Sequence, residues 1–351
     1  MITVAVGMSG GVDSSVSALL LKKQGYNVIG LFMKNWEEKE KGVCRSAKDA
    51  EDAANVCAKL EIPFYSVNFV QEYMDEVFSH FLEEIKLGFT PNPDILCNRE
   101  IKFKVFLQKA LDLGADFLAT GHYAQINPQF ALLKGKDPSK DQSYFLYTLK
   151  QSILQKVLFP IGHLNKVEVR RLAKEANLAT AEKKDSTGIC FIGKRDFREF
   201  LSHYIAYQKG PMETPEGKVV GEHMGIAFYT IGQRKGLSIG GPGDAWFVAG
   251  KDASRNVLIV TQGEDHPSLY ASKLTATNPT WVQEMPSFPL ICKAKIRYRQ
   301  EDAACLIEKL EEGRLTVSFP KPQRAITPRQ SIVFYLGDVC LGGALIESSF
   351  S

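Results

Sequence analysis

Three strings in this 351-residue chain combine residue types and spacings that suit chemistry better than packing. The first is Gly7-Met8-Ser9-Gly10-Gly11-Val12-Asp13-Ser14, which joins a β-branched run, Thr3 to Gly7, to a helical stripe of Val12, Val16, Leu19 and Leu20. A strand entering a helix through two glycines lets the backbone approach an anion. The free N–H groups and dipole of the helix start then favour a phosphate. Ser9 and Ser14 add hydroxyl donors, and Asp13 could hold a divalent cation such as Mg2+ against the same phosphates. The loop lacks Gly-Lys-Ser/Thr, hence a lysine for the β/γ junction, and it lacks G-x-G-x-x-G, which sets a dinucleotide site aside. The plain alternative is a tight turn that binds nothing.

The second string, Asn92-Pro93-Asp94-Ile95-Leu96-Cys97-Asn98-Arg99-Glu100-Ile101-Lys102-Phe103, sets Cys97 among polar groups, with Arg99 and Lys102 placed to lower a thiol pKa. The third, Asp185-Ser186-Thr187-Gly188-Ile189-Cys190-Phe191-Ile192-Gly193, reads as a small glycine-flanked loop, a poor place for a core cysteine. The chain has seven cysteines, an odd number, with no C-x-x-C pair, which argues against a disulfide framework and a zinc ribbon. The remaining cysteines read as small core hydrophobes.

The elements that must position these strings follow from periodicity. Strands are expected at Thr3–Gly7, Tyr26–Phe32, Phe64–Val67 and Phe117–Thr120. Helices are expected after Val12, at Ala47–Leu60 and Gln71–Leu87, and around Phe103–Leu111. Asn165-Lys166-Val167-Glu168 reads as a capping box for one more helix. Strands alternating with helices imply a parallel sheet covered by helices, an α/β class. After about residue 207 helical periodicity fades. Short strands follow, among them Ala245–Ala249, Val257–Thr261, Leu290–Tyr298, Ala303–Leu310, Arg314–Phe319 and Ser331–Leu336. The expected organisation is a catalytic domain over 1–207, a small central β-rich domain over 208–272 and a β-barrel over 273–351. No apolar run approaches the ~18 residues needed to span a bilayer, and Met1–Gly7 does not resemble a signal peptide. A cytoplasmic protein with no membrane partner is expected.

Ser-Gly-Gly-Val-Asp-Ser directly after the first strand resembles the PP-loop signature of the ATP pyrophosphatase superfamily. With Asn92–Phe103, Thr120-Gly121-His122-Tyr123, Lys140-Asp141-Gln142-Ser143-Tyr144, Asp185–Gly193 and Gly232-Gln233-Arg234-Lys235-Gly236-Leu237, the chain resembles the tRNA-specific 2-thiouridylase family through most of its length. The resemblance implies a PP-loop fold that binds ATP through Gly7, Met8, Ser9, Gly10, Gly11, Val12, Asp13, Ser14, Met33 and Gly121. It implies adenylation of the C2 oxygen of the wobble uridine, then sulfur transfer from a persulfide on Cys190, with Cys97 as partner thiol. It further implies tRNA contacts by Asn92, Pro93, Asp94, His122, Lys140, Asp141, Gln142, Arg297, Tyr298, Arg299 and Gln330. The implied partners are tRNAs for Lys, Glu and Gln and a sulfur carrier or cysteine desulfurase relay. Asp94, Cys97 and Cys190 would offer an iron–sulfur cluster at most three ligands, fewer thiolates than such sites usually have, which favours a cluster-free route.

The residues leave bland readings beside these: Met33 as core, His122 as a structural histidine, Asn92–Asp94 as a polar turn and Lys140–Gln142 as a solvated loop. Residues 290–329 hold nine basic against five acidic residues. Lys293, Lys295, Arg297 and Arg299 alternate, which would give one strand a basic face suited to a phosphate backbone and put Tyr298 on the other. Two rival functions are compatible with the sequence: a PP-loop ligase with a nitrogen nucleophile, and a non-catalytic RNA-binding protein.

Overall fold

The computed structural model describes residues 1–37, 45–185 and 196–351. The chain begins with β1 (Thr3–Gly7), α1 (Val12–Lys23), β2 (Asn27–Lys34), α2 (Arg45–Lys59) and β3 (Phe64–Asn68). There follow α3 (Val70–Tyr73), a π-helical turn Met74–Phe78, α4 (Ser79–Lys86), α5 (Pro93–Leu96), a π-helical stretch Cys97–Phe106, α6 (Leu107–Asp112) and β4 (Phe117–Ala119). A hairpin of β5 (Ala124–Ile126) and β6 (Leu132–Lys134) leads to α7 (Ser143–Leu146), α8 (Gln151–Leu154), β7 (Val157–Leu158) and α9 (Lys166–Glu175).

The first sheet has the order β3-β2-β1-β4-β7, all parallel. Val4 and Val6 of β1 pack with α1, α2 and α9, whereas Ala5 packs with the helices on the opposite face. Burial on both faces is why the strands read as near-continuous apolar runs. The chain builds outward from β1 to β3, then returns to place β4 on the other side of β1. The order therefore reverses between β1 and β4, and the crevice beyond their carboxyl ends is where open α/β sheets bind ligands. α1 is buried on nearly every side, serines included, and ends as its sequence suggests, with Gly25 at a positive φ of 83°.

After α10 (Phe197–Ser202) a second sheet has the order β10-β11-β8-β9, built from β8 (Gly210–Glu213), β9 (Val219–His223), β10 (Trp246–Asp252) and β11 (Val257–Gln262). The third sheet comprises β12 (Tyr270–Trp281), β13 (Leu290–Lys295), β14 (Ala303–Glu311), β15 (Arg314–Arg324), β16 (Ser331–Leu336) and β17 (Val339–Phe350). Their order is β12-β15-β14-β13-β16-β17, and pairing of β17 with β12 closes an antiparallel barrel around Leu274, Ile307, Val317 and Phe334.

The hairpin β5–β6 joins this barrel through Leu133, which pairs with Val339. Tyr144 donates to the Ser331 carbonyl at 2.9 Å, and Lys134 sits 4.5 Å over the Tyr335 ring and is paired with Asp302. The parallel sheet and the barrel are thus tied by side chains of one buried seam. No described helix is long and apolar enough to cross a membrane.

Candidate active site

The strand–loop–helix string folds as its composition dictates. Gly11 is the N-cap of α1 and has no side chain to cap it; the Ser15 amide reaches back to its carbonyl at 3.3 Å. The amides of Val12, Asp13 and Ser14 have no hydrogen-bond acceptor among the described residues, which leaves the first turn of a buried helix with donors to offer. The Ser14 hydroxyl takes the Ser9 amide at 3.1 Å and lies 3.2 Å from the Ser9 hydroxyl. Gly10 has a φ of 71°, and a Cβ there would meet the Asp49 carbonyl oxygen at 2.3 Å.

Opposite the loop, Gly121 follows β4. A Cβ on Gly121 would stand 2.8 Å from the Ser14 nitrogen and 2.9 Å from the Asp13 carbonyl carbon. The space before the helix N-terminus exists because this residue has no side chain. A cradle of free amides and two hydroxyls at the switch point of the sheet suits a phosphate chain. Met33, at the carboxyl end of β2, is half-buried and packs against the core.

A charged chain runs from the loop to α9. Lys166 is almost wholly buried; its Nζ lies 2.7 Å and 2.8 Å from the two Asp13 carboxylate oxygens and 2.8 Å from Asp185. Tyr123 also donates to Asp13, at 2.7 Å. Burial, then the Asp13 carboxylate, pushes the Tyr123 phenol up. Asp185 receives Lys140 at 2.8 Å and Arg170 at 2.7 Å. Burial alone would raise its pKa, but the two lysines outweigh it and hold the carboxyl at about 2. The capping box of α9 forms as its sequence suggests: the Asn165 side chain accepts from the Glu168 amide and the Glu168 side chain from the Asn165 amide, both at 2.9 Å. Sequence reasoning placed Lys166 in that box and missed its role beside Asp13. Among the described residues no three His, Cys, Asp or Glu side chains gather as a metal site.

The second string forms helix. Asn92 caps α5, its Oδ1 accepting from the Asp94 amide at 3.2 Å, with Pro93 buried at the first helical position. Cys97 opens the π-helical stretch and is 2% exposed. Helix and burial at Cys97 suit packing as well as chemistry. The π geometry is the signal that sequence could not give, because such turns recur at functional sites. Arg99 directs its Nε to Glu100 at 2.6 Å. Asn98, buried beside Cys97, donates to the Phe145 carbonyl at 3.2 Å, while its Oδ1 has no partner among the described residues. Phe106, closing the same stretch, lies under Gly7, where a Cβ would meet it at 3.1 Å. Cys190, the other candidate thiol, lies outside the described residues.

Comparison with known proteins agrees with this arrangement. Family models described as the tRNA methyl transferase HUP domain, the tRNA methyl transferase PRC-barrel domain and the aminomethyltransferase beta-barrel domain match residues 2–194, 198–262 and 271–346. The tRNA-specific 2-thiouridylase MnmA of Protochlamydia amoebophila is 62% identical, over 98% of this chain and 93% of its own. The chain belongs to the tRNA-specific 2-thiouridylase family. The MnmA proteins of Geobacillus thermodenitrificans (56% identical, 99% of this chain and 95% of its own) and Halalkalibacterium halodurans (57%, 98% and 94%) match comparably.

The residues for which the thiouridylase resemblance implies RNA contact have uneven surroundings. His122 is buried; its Nδ1 lies 2.8 Å from the Thr120 hydroxyl and its ring between those of Phe103 and Phe159. Burial, then the Lys102 charge, pushes the imidazole well below its usual range. Lys140–Gln142 is not a solvated loop throughout. Asp141 is 4% exposed and accepts from the Gly135 and Ser143 amides, and Gln142 accepts from the Tyr123 amide at 3.0 Å.

The basic row is shorter than its alternation suggests. Strand β13 stops at Lys295, so Arg297, Tyr298 and Arg299 lie beyond it. Its partners run out there: Ala294 pairs with Ala303, the first residue of β14. Lys295 turns inward to Asp141 and Asp302, at 3.5 and 3.8 Å. Arg297 donates to the carbonyls of Ile231 and Ala325 and to the Thr327 hydroxyl, and burial lowers its pKa. Tyr298 packs 4.3 Å from the Phe145 ring, next to the Asn98 contact. Lys293 and Arg299 remain exposed. Gln330 donates to the Thr90 carbonyl, two residues before Asn92.

Proposed function

We propose that the protein is a tRNA uridine 2-sulfurtransferase working in the cytoplasm. Residues 1–207 carry the chemistry, 208–272 form a small β-rich domain, and 273–351 bind the RNA. The reading rests on one observation above others: an amide-lined phosphate cradle at the switch point of the sheet, in a chain that matches 2-thiouridylases over nearly its whole length.

ATP binds with its phosphates at Gly10, Gly11 and the first amides of α1. The C2 oxygen of the wobble uridine attacks the α-phosphorus, the Pα–O bond to pyrophosphate breaks, and the loop amides and Ser9 and Ser14 hydroxyls stabilise the departing charge. Asp13 would hold Mg2+, which would add neutralising charge at the same place. Extruding the base from the anticodon puts its ring before Asn92–Asp94 and Cys97. A persulfide on Cys190 attacks C2 and AMP leaves. The Cys97 thiolate then attacks the Cys190 sulfur, releasing 2-thiouridine and leaving a Cys97–Cys190 disulfide, which an external thiol reduces. The sulfur reaches Cys190 from a carrier or desulfurase, and the acceptors are tRNAs for Lys, Glu and Gln.

The test is mass spectrometry of tRNA nucleosides after incubation with ATP and a sulfur donor. 2-Thiouridine should form with the wild type and be lost with Cys190→Ser, while ATP still binds. Pyrophosphate release that needs a small amine acceptor rather than tRNA would replace this reading with that of a nitrogen ligase.

A further inference from the structure

The loop at the head of α1 carries no lysine of its own, yet the charge that develops on a departing pyrophosphate is stabilised by a cation beside it. The fold supplies one from a distant element. Lys166 is the first residue of α9, and its Nζ reaches both carboxylate oxygens of Asp13, the second residue of α1, 153 positions earlier. The ammonium is buried, sits 5.7 Å from the centre of the Tyr123 ring and is shared with Asp185. Two carboxylates, Asp13 and Asp185, thus face this one ammonium.

We propose that Lys166 is a phosphate-binding residue of the adenylation site, supplying from α9 the cation the loop lacks. The inference rests on the reading of the site as an ATP site. When the phosphates enter, the ammonium shifts from Asp13 toward their oxygens while Asp185 keeps hold of it. As the Pα–O bond breaks, the leaving pyrophosphate takes the electron pair and Lys166 offsets its charge; no bond to the lysine forms. Because Asp185 also receives Lys140 and Arg170, it stays anchored when the lysine moves.

Equilibrium binding of ATP, inorganic pyrophosphate and AMP to the full chain tests this, with Lys166→Met, Lys166→Arg and the double variant Lys166→Met/Asp185→Asn, which restores the net charge of the site. The expected result is loss of ATP and pyrophosphate affinity by roughly 10- to 100-fold in both methionine variants, near the effect of one charge-assisted hydrogen bond. AMP affinity should stay within about threefold, and arginine should restore part of the loss. Equal losses for all three ligands, or unchanged pyrophosphate affinity in a folded methionine variant, would overturn the assignment. Failure of the wild type to bind ATP at all would instead overturn the reading of the site.

Discussion

Gly121 and Ser14 approach so closely that a Cβ on the glycine would stand 2.8 Å from the serine nitrogen. Gly121 follows β4 and Ser14 lies in the first turn of the helix that follows β1, on either side of the sheet's reversal, and their approach shapes the space before α1. Gly121→Ala should therefore reduce ATP affinity by at least about tenfold, because the methyl group takes phosphate space and pushes α1 away. The accompanying loss of stability should be about 1–3 kcal/mol, the usual range for overpacking. Isothermal titration with ATP, paired with thermal unfolding, measures both; unaltered affinity would mean that the phosphates lie elsewhere.

Asp185 gives a pH-dependent signature. Its folded pKa of about 2 lies below the ordinary 3.8. The group therefore contributes stability that is fully present above the unfolded value and is lost as pH falls toward 2. Asp185→Asn should lower stability at pH 7 by on the order of 1 kcal/mol after allowance for solvent screening. Urea midpoints of wild type and variant should converge between pH 4 and pH 2. A constant gap would show that the carboxylate charge contributes nothing.

Lys251 gives a slope of the same sign in the alkaline range. It lies partly buried on β10 against the end of α4, donating to the Gly88 carbonyl at 2.8 Å and to the Thr90 hydroxyl at 3.3 Å. Burial lowers its pKa from 10.5 to about 8. Between those values the unfolded chain binds the proton and the folded chain does not, so stability should rise with pH from about 8 to 10.5. Lys251→Met should remove that rise. Equilibrium unfolding at pH 7.5 and pH 10 provides the comparison, and a rise that persists in the variant would assign it to another group.

Much of the scaffold could be read from the chain, because it rests on local patterns. Thr3–Gly7 is a strand with the expected bounds, and the capping box Asn165–Glu168 forms. The relation of Lys166 to Asp13 could not be read, since it depends on how α9 packs on α1 rather than on anything near either residue. The hairpin β5–β6 escaped notice because each strand has three residues and its stability comes from the barrel it joins. Alternation at Lys293–Arg299 was a true local signal for β13, but it overran the strand, whose end is set by partners on β14 and β16.

The barrel interior holds a second pair of thiols. Cys292 and Cys305 face each other in register on β13 and β14, with sulfurs 3.6 Å apart, both buried. The hydrogen bond shared with Cys292, then burial, pushes the Cys305 thiol up, so it should be a poor nucleophile. Cys292→Ala/Cys305→Ala should leave the 2-thiouridine yield unchanged and cost roughly 1–3 kcal/mol of stability through lost packing. Nucleoside analysis and urea unfolding check the two halves; a lost yield in a folded variant would make this pair, too, part of sulfur transfer.

Arg297 and Arg299, two residues apart, should answer differently to substitution. Arg297 is turned inward on carbonyls of Ile231 and Ala325, joining the loop before β10 to the barrel, whereas Arg299 is exposed. Removing Arg297 leaves those carbonyls without their donor, so Arg297→Gln should lower stability by about 1–3 kcal/mol. Arg299→Gln and Lys293→Gln should leave stability within about 0.5 kcal/mol. If they touch the phosphate backbone, each should weaken tRNA binding and reduce the slope of log affinity against log salt by about one. Filter binding across 50–300 mM salt reads that slope. An unchanged slope in both exposed variants would remove this face from the RNA path and leave the phosphate contacts to other basic residues.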